Sequence, residues 1–148
     1  MTMARTIHPV AECELRAARA SVVLARMFVA ATVQEWGVTE CEEAALAVVS
    51  ELVTNAVEVT AQGAFVRVRL SRREDGLWLK VLDGAERREP VVRETVTCVE
   101  DVDAAEGDAF GGWGLQLVRH HAERVWTERA AEQGCKWVCA VIGLAARE

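Results

Sequence analysis

Apolar positions in the first part of the chain recur at the spacing of one α-helix face. They fall at steps of three and four residues, which is the helical period: Leu15, Ala18, Val22, Ala25, Val29, Val33 and Trp36. We expect Gly37 to end this helix in a left-handed conformation. Thr39, with Glu42 three residues later, has the pattern of a capping box. A second, mainly apolar helix is therefore expected from Thr39 to about Thr60, and its composition predicts that it is largely buried.

Beyond Gly63 the apolar period changes from 3.6 residues to two. Residues 66–70 and 77–83 both alternate apolar with polar side chains, which predicts two strands, the second ending at Asp83. The turn signal Glu74-Asp75-Gly76 separates them. Strands joined by so short a turn are antiparallel, and this excludes a Rossmann-type crossover.

The second half of the chain adds a long irregular segment, a helix and a further pair of strands. Residues 84–111 show little periodicity, and a loop of this length in a compact domain is usually functional or mobile. A third helix is expected after Gly112-Trp113-Gly114, and strands near residues 124–129 and 135–142. The element order predicts an α+β fold, a two-layer α/β sandwich with helices on one face of a mainly antiparallel sheet. We expect residues 1–148 to form a single domain.

Composition narrows the classes of function. Of the 148 residues, 51% are apolar and 27% are charged, as in an ordinary globular domain. The formal net charge of −6 opposes direct nucleic-acid binding, which normally uses a basic stripe. We see neither the roughly 18 apolar residues of a membrane span nor a secretion signal. The five cysteines are odd in number and scattered, which favours a reducing cytoplasm.

Glu51 and Asn55 form the first candidate site. They are four residues apart on the second helix, so their side chains stack on one face beside its apolar stripe. An amide oxygen suits Mg²⁺, and a carboxylate one turn away can orient or deprotonate an attacking hydroxyl. The alternative is a pair of surface residues beside a buried face, since polar pairs at this spacing are common on helices.

Two loop-proximal segments supply further candidates. Asp83 follows a strand, where its carboxylate can accept a hydrogen bond from the exocyclic amine of adenine; alternatively it only forms a turn with Gly84. The glycines at 111–114 open a helix, where backbone N–H groups favour a phosphate; alternatively they are a flexible linker. His120 and His121 are adjacent, so we expect them to point in different directions without forming a metal site.

Taken together, these segments resemble the histidine-kinase-like (GHKL, Bergerat-fold) ATPases. Residues 51–57 resemble the family's N-box, residues 81–84 followed by Pro90 resemble its first glycine box, and residues 112–118 are similar to its second. The resemblance covers nearly the whole chain. It is closest to the stand-alone anti-sigma factors of actinobacteria that act as serine-protein kinases.

This resemblance implies ATP and Mg²⁺ as cofactors. By it, Asn55 binds Mg²⁺, Glu51 acts as a base or water-orienting residue, and Asp83 reads adenine. Residues 84–111 would form a lid over the nucleotide. The remaining nucleotide-binding positions that it implies are Gly84, Gly112, Trp113, Gly114 and Leu115.

The resemblance also implies a function and partners. The chain would phosphorylate a Ser or Thr of an anti-anti-sigma (STAS-type) protein, sequester a sigma factor through its first helix and the neighbouring surface, or do both, without contacting nucleic acid or membrane. A two-fold homodimer agrees with the resemblance. The alternative is a catalytically silent module on the same fold that binds nucleotide or only protein.

Several positions depart from the family pattern. Val59 stands where the N-box commonly has His, and Ala85 and Arg87 stand where the first glycine box has glycines. The segment from Glu94 to Leu117 contains acids but no Lys or Arg. Because an acidic lid opposes a triphosphate electrostatically, the sequence leaves both the kinase and the silent module open.

Overall fold

The computed structural model describes residues 8–61, 63–83, 113–131 and 134–144. Five strands form one sheet in the order β1-β2-β3-β5-β4, and every neighbouring pair is antiparallel. The elements, in chain order, are β1 (Val10–Arg16), α1 (Ala20–Glu35), α2 (Glu42–Val59), β2 (Phe65–Arg73), β3 (Gly76–Leu82), α3 (Trp113–His121), β4 (Arg124–Arg129) and β5 (Lys136–Ile142).

The helices pack on one face of the sheet, which confirms the predicted two-layer α+β sandwich. Alternate residues of the strands point toward α1 and α2 because successive strand side chains face opposite sides. The main core cluster joins these strand positions to the buried stripe of α2. Its sheet side includes Val66, Val68, Leu70, Leu77, Leu79, Val81, Val138, Ala140 and Ile142.

The first strand corrects the sequence analysis, which placed Leu15 on the first helix. Leu15 lies in β1, which pairs along its whole length with β2, and α1 begins only at Ala20. Residues 10–16 alternate exposed and half-buried positions, so the signal with period two was present. It was missed because Leu15, Ala18 and Val22 also happen to fall at helical spacing.

The start of α2 also differs from the prediction, whereas the end of α1 agrees with it. Gly37 has a φ of 71°, as expected for a left-handed helix end. No side-chain hydrogen bond caps α2, so the predicted capping box is wrong. The chain enters α2 through a 3₁₀ turn (Thr39–Cys41), in which the backbone N–H of Glu42 already donates to the carbonyl oxygen of Thr39. Backbone bonds of this kind take the place of side-chain caps at helix starts.

The opposite face of the sheet carries tryptophans and charged side chains. The rings of Trp78 and Trp126 meet edge to face with centroids 5.2 Å apart, and the guanidinium of Arg69 lies over Trp137 at 4.7 Å. Trp78 and Trp126 are half-buried, and Trp137 is buried. In the described ranges, no helix is both long and apolar enough to cross a membrane.

Candidate functional site

The polar pair Glu51 and Asn55 is held by the buried face of α2. Leu52, Val53 and Ala56 are buried against the sheet and neighbouring helices, which fixes the rotation of the helix about its axis. This rotation leaves Glu51 and Asn55 half-buried at the border of the apolar stripe, where the sequence placed them. The pair therefore does not lie on a fully solvated helix face.

Asn55 has an unusual environment for an amide. Its Nδ2 atom is buried without a hydrogen-bond partner, and no other side-chain nitrogen or oxygen of the described residues shares that state. A buried polar atom without a partner costs about 1–3 kcal/mol, so it is normally retained for a reason. The two ends of an amide differ by a rotation, so the same side chain can present its oxygen instead. Asn55 thus has the spare capacity of a ligand-binding residue.

Asp83 lies at the next position after β3, and its side chain is buried. It follows the alternation of Leu79 and Val81, so it faces the helix side of the sheet. Its Oδ1 accepts the backbone N–H of Lys136 at 3.1 Å, and its Oδ2 accepts Nζ of the same residue at 2.6 Å. The structure therefore gives Asp83 more than a turn-forming role, because its carboxylate holds the start of β5.

Lys136 is a residue of this site that the sequence analysis missed. It is the first residue of β5 and has the same side-chain parity as Val138, so it too faces the helix side. The pairing of Leu82 with Trp137 brings Lys136 opposite Asp83 although 53 positions separate them in sequence. The sequence showed only a lysine near the expected start of a strand. That this lysine pairs with Asp83 follows from the register between β3 and β5.

The predicted helix after the glycines is present as α3, which begins at Trp113. The backbone of Trp113, Gly114 and Leu115 is helical. Gly112, Gly84 and the predicted lid, residues 84–111, lie outside the described residues. Helix α2 packs against both β3 and α3. Helix α2, which carries Glu51 and Asn55, therefore contacts both the strand that ends before Asp83 and the helix that begins at Trp113.

The side chains present agree with a magnesium-nucleotide site rather than a metal cage. In the described parts of the chain, no three His, Cys, Asp or Glu side chains form a group able to hold a metal ion. Mg²⁺ commonly keeps several waters and takes only one or two protein ligands together with substrate phosphates. A single amide oxygen, as Asn55 can provide, fits that requirement, and it leaves the carboxylate of Glu51 for the base or orienting role.

The neighbouring histidines correct a smaller prediction. The rings of His120 and His121 do not point apart; they meet edge to face with centroids 4.8 Å apart. They lie in the last turn of α3, where basic residues interact favourably with the helix dipole.

Comparison with known proteins assigns the fold to a family. A family model described as the histidine kinase-like ATPase domain matches residues 15–142. The match runs from the end of β1 to the end of β5 and includes every candidate residue discussed above. No curated protein matches the chain.

Proposed function

The chain belongs to the histidine kinase-like ATPase domain family, and from this premise we propose that it binds ATP with Mg²⁺ and phosphorylates a Ser or Thr of an anti-anti-sigma (STAS-type) partner in the cytoplasm. A second role would be the sequestration of a sigma factor. The observation that carries the proposal is the half-buried pair Glu51 and Asn55, in which Asn55 has an unpartnered buried amide nitrogen.

The roles of these residues follow from their chemistry. Asn55 would hold Mg²⁺ through its amide oxygen, and the bound ion would neutralise charge on the phosphates. Glu51, one helical turn earlier, would accept the proton of the attacking hydroxyl or orient it. Asp83 would accept a hydrogen bond from the exocyclic amine of adenine while it stays paired with the Lys136 ammonium. Phosphoryl transfer depends mainly on positioning and charge neutralisation, so few residues are needed.

The first helix supports a partner-binding role. On α1, Val23, Leu24 and Met27 are 59%, 50% and 62% exposed. Grouped exposed apolar side chains of this size are unfavourable in water and commonly mark a protein interface. We therefore place the partner surface of the proposal on this side of α1.

The alternative is a module that binds nucleotide or protein without turnover. It is favoured by the engagement of both Asp83 oxygens with Lys136, because a carboxylate occupied in this way is less available to adenine. The two functions share one surface and differ in phosphoryl transfer.

A labelling experiment separates them. The protein is incubated with γ-labelled ATP, Mg²⁺ and a purified anti-anti-sigma protein, and wild type is compared with Glu51→Gln. Glu43→Gln is the matched control, because Glu43 is an exposed carboxylate in the first turn of the same helix. Transfer lost in Glu51→Gln and kept in Glu43→Gln supports the kinase. If the wild type binds nucleotide but transfers no phosphoryl group, the silent module is supported. If it neither binds nucleotide nor transfers a phosphoryl group, the proposal that the protein binds nucleotide is contradicted.

A further inference from the structure

In the pair formed by Asp83 and Lys136, the more exposed member is the cation. The side chain of Asp83 is 2% exposed, whereas that of Lys136, which contacts it at 2.6 Å, is 37% exposed. The purine ring of an incoming nucleotide therefore contacts the ammonium of Lys136 before it contacts the carboxylate of Asp83. An ammonium has three N–H donors, and the bond to Asp83 uses one of them.

The Asp83 and Lys136 pair offers a donor and an acceptor next to each other. Lys136 donates to both oxygens of Asp83, from its backbone N–H and from its ammonium. Adenine presents an exocyclic amine and a ring acceptor on its edge, whereas a 6-oxo purine such as guanine presents a carbonyl acceptor beside N–H donors. A carboxylate alone can accept a hydrogen bond from the exocyclic amine of adenine, but it repels the carbonyl oxygen of a 6-oxo purine. The pair of Asp83 and Lys136 can form hydrogen bonds with either purine.

We propose that Lys136 is a specificity-determining residue of the base site, and that it lets this protein bind 6-oxo purine nucleotides as well as adenine nucleotides. This inference rests on the proposed nucleotide-binding function. The ammonium donates to the 6-oxo group, and Asp83 behind it accepts from the base N–H groups or from the exocyclic amine of adenine. Without the ammonium, the site offers only the carboxylate of Asp83, which is an acceptor. It then disfavours a 6-oxo purine, because the carboxylate and the 6-oxo oxygen are both acceptors and neither has a donor.

The test compares two nucleotides on three variants. Non-hydrolysable analogues of ATP and GTP are titrated calorimetrically, with Mg²⁺, into wild type, Lys136→Met and Lys80→Met. Lys80→Met is the matched control, since Lys80 also pairs with a carboxylate, Glu128 at 3.1 Å, but on the other face of the sheet. Circular dichroism establishes that each variant is folded.

The expected result is a wild-type preference for ATP over GTP of less than tenfold. Lys136→Met should raise this preference at least tenfold, the equivalent of one hydrogen bond in a desolvated site, while Lys80→Met leaves it unchanged. A wild-type preference above tenfold overturns the inference, and this measurement holds even if Lys136→Met does not fold. A preference that Lys136→Met leaves within threefold of wild type also overturns it.

The failure of this inference is distinguishable from failure of the proposed function. If the wild type binds the ATP analogue but discriminates strongly against the GTP analogue, only the role of Lys136 is refuted. If it binds neither analogue, nucleotide binding itself is refuted, and the inference is refuted with it.

Discussion

Replacement of Asn55 by leucine should make the nucleotide-free protein more stable. The substitution removes the buried Nδ2 atom that has no hydrogen-bond partner and substitutes an apolar side chain of similar size. The relief of an unpaired buried polar atom is worth about 1–3 kcal/mol, and leucine adds a few tenths of a kcal/mol of helix propensity. For a domain of this size each kcal/mol raises the Tm by about 3 °C, so the expected increase is about 3–9 °C.

The same substitution should abolish stabilisation by nucleotide. A ligand present at 100 times its Kd stabilises the folded state by about 2.7 kcal/mol, and this increment depends here on the Asn55 amide. The Tm increase produced by nucleotide should therefore fall from about 8 °C in the wild type to near zero in the variant. The variant should melt above the wild type without nucleotide, and should gain little when the Mg²⁺ complex of ATP is added.

The assay is thermal unfolding followed by circular dichroism, with and without Mg²⁺ and an ATP analogue. Ser50→Ala is the control on the same helix, because the Ser50 hydroxyl has partners: it donates to the carbonyl oxygen of Leu46 at 2.7 Å and accepts from Arg26. This control should lose about 0.5–1.5 kcal/mol. If Asn55→Leu is destabilised without nucleotide, or is stabilised by nucleotide as strongly as wild type, the interpretation of Asn55 as a ligand residue is refuted.

Three further predictions concern the scaffold around the site. Gly63→Ala, at a φ of 93° with nothing within 4 Å, should lose only the cost of backbone strain, about 1–3 kcal/mol in urea unfolding. Gly76→Ala should lose more than Gly63→Ala, because its φ is 152° and, in addition, a Cβ atom would lie 2.5 Å from a backbone carbonyl oxygen of β5. An equal loss in both would show that the contact with β5 is unimportant. Leu52→Ala should cost about 2–5 kcal/mol in the same assay, since the leucine is buried and its removal leaves a cavity; a loss below 1 kcal/mol would place it outside the core. A hydrogen bond from Trp126, with a weaker one from the Lys80 ammonium, lowers the pKa of Glu128 below its usual 4.5. The stability that Glu128 contributes is therefore present above pH 4.5 and is lost as the pH falls through the lower pKa of the folded state. Glu128→Gln should make the free energy of unfolding less dependent on pH in this acid range, and an unchanged dependence would refute this role of Glu128.

The sequence predicted those elements whose periodicity is long and regular. Helix α2 has an apolar stripe along its whole length, and the hairpin of β2 and β3 is bounded by a clear turn, so both were placed to within a few residues. Strand β1 was missed because α1 follows it within a few residues and the helical spacing of apolar residues extends back to Leu15. The capping box failed because a cap depends on the path by which the chain enters the helix, and a 3₁₀ turn precedes α2.

The candidate site was predictable in part for a similar reason. Glu51 and Asn55 are local to one helix, so their spacing alone places them on one face. The partner of Asp83 was not predictable, because Lys136 reaches it only through the pairing of β3 with β5. The alternation of apolar residues predicts which face of the sheet each side chain takes, but for two strands that no hairpin joins it does not predict which residues lie opposite each other.

The most direct test of nucleotide binding is a calorimetric titration of the wild-type protein with a non-hydrolysable ATP analogue, once with Mg²⁺ and once with EDTA. We expect measurable heat and saturable binding with Mg²⁺, and an affinity at least tenfold lower in EDTA, because Asn55 acts through the ion. Saturable binding that is indifferent to Mg²⁺ would contradict the role of Asn55. No heat of binding under either condition would contradict the claim that this domain binds ATP.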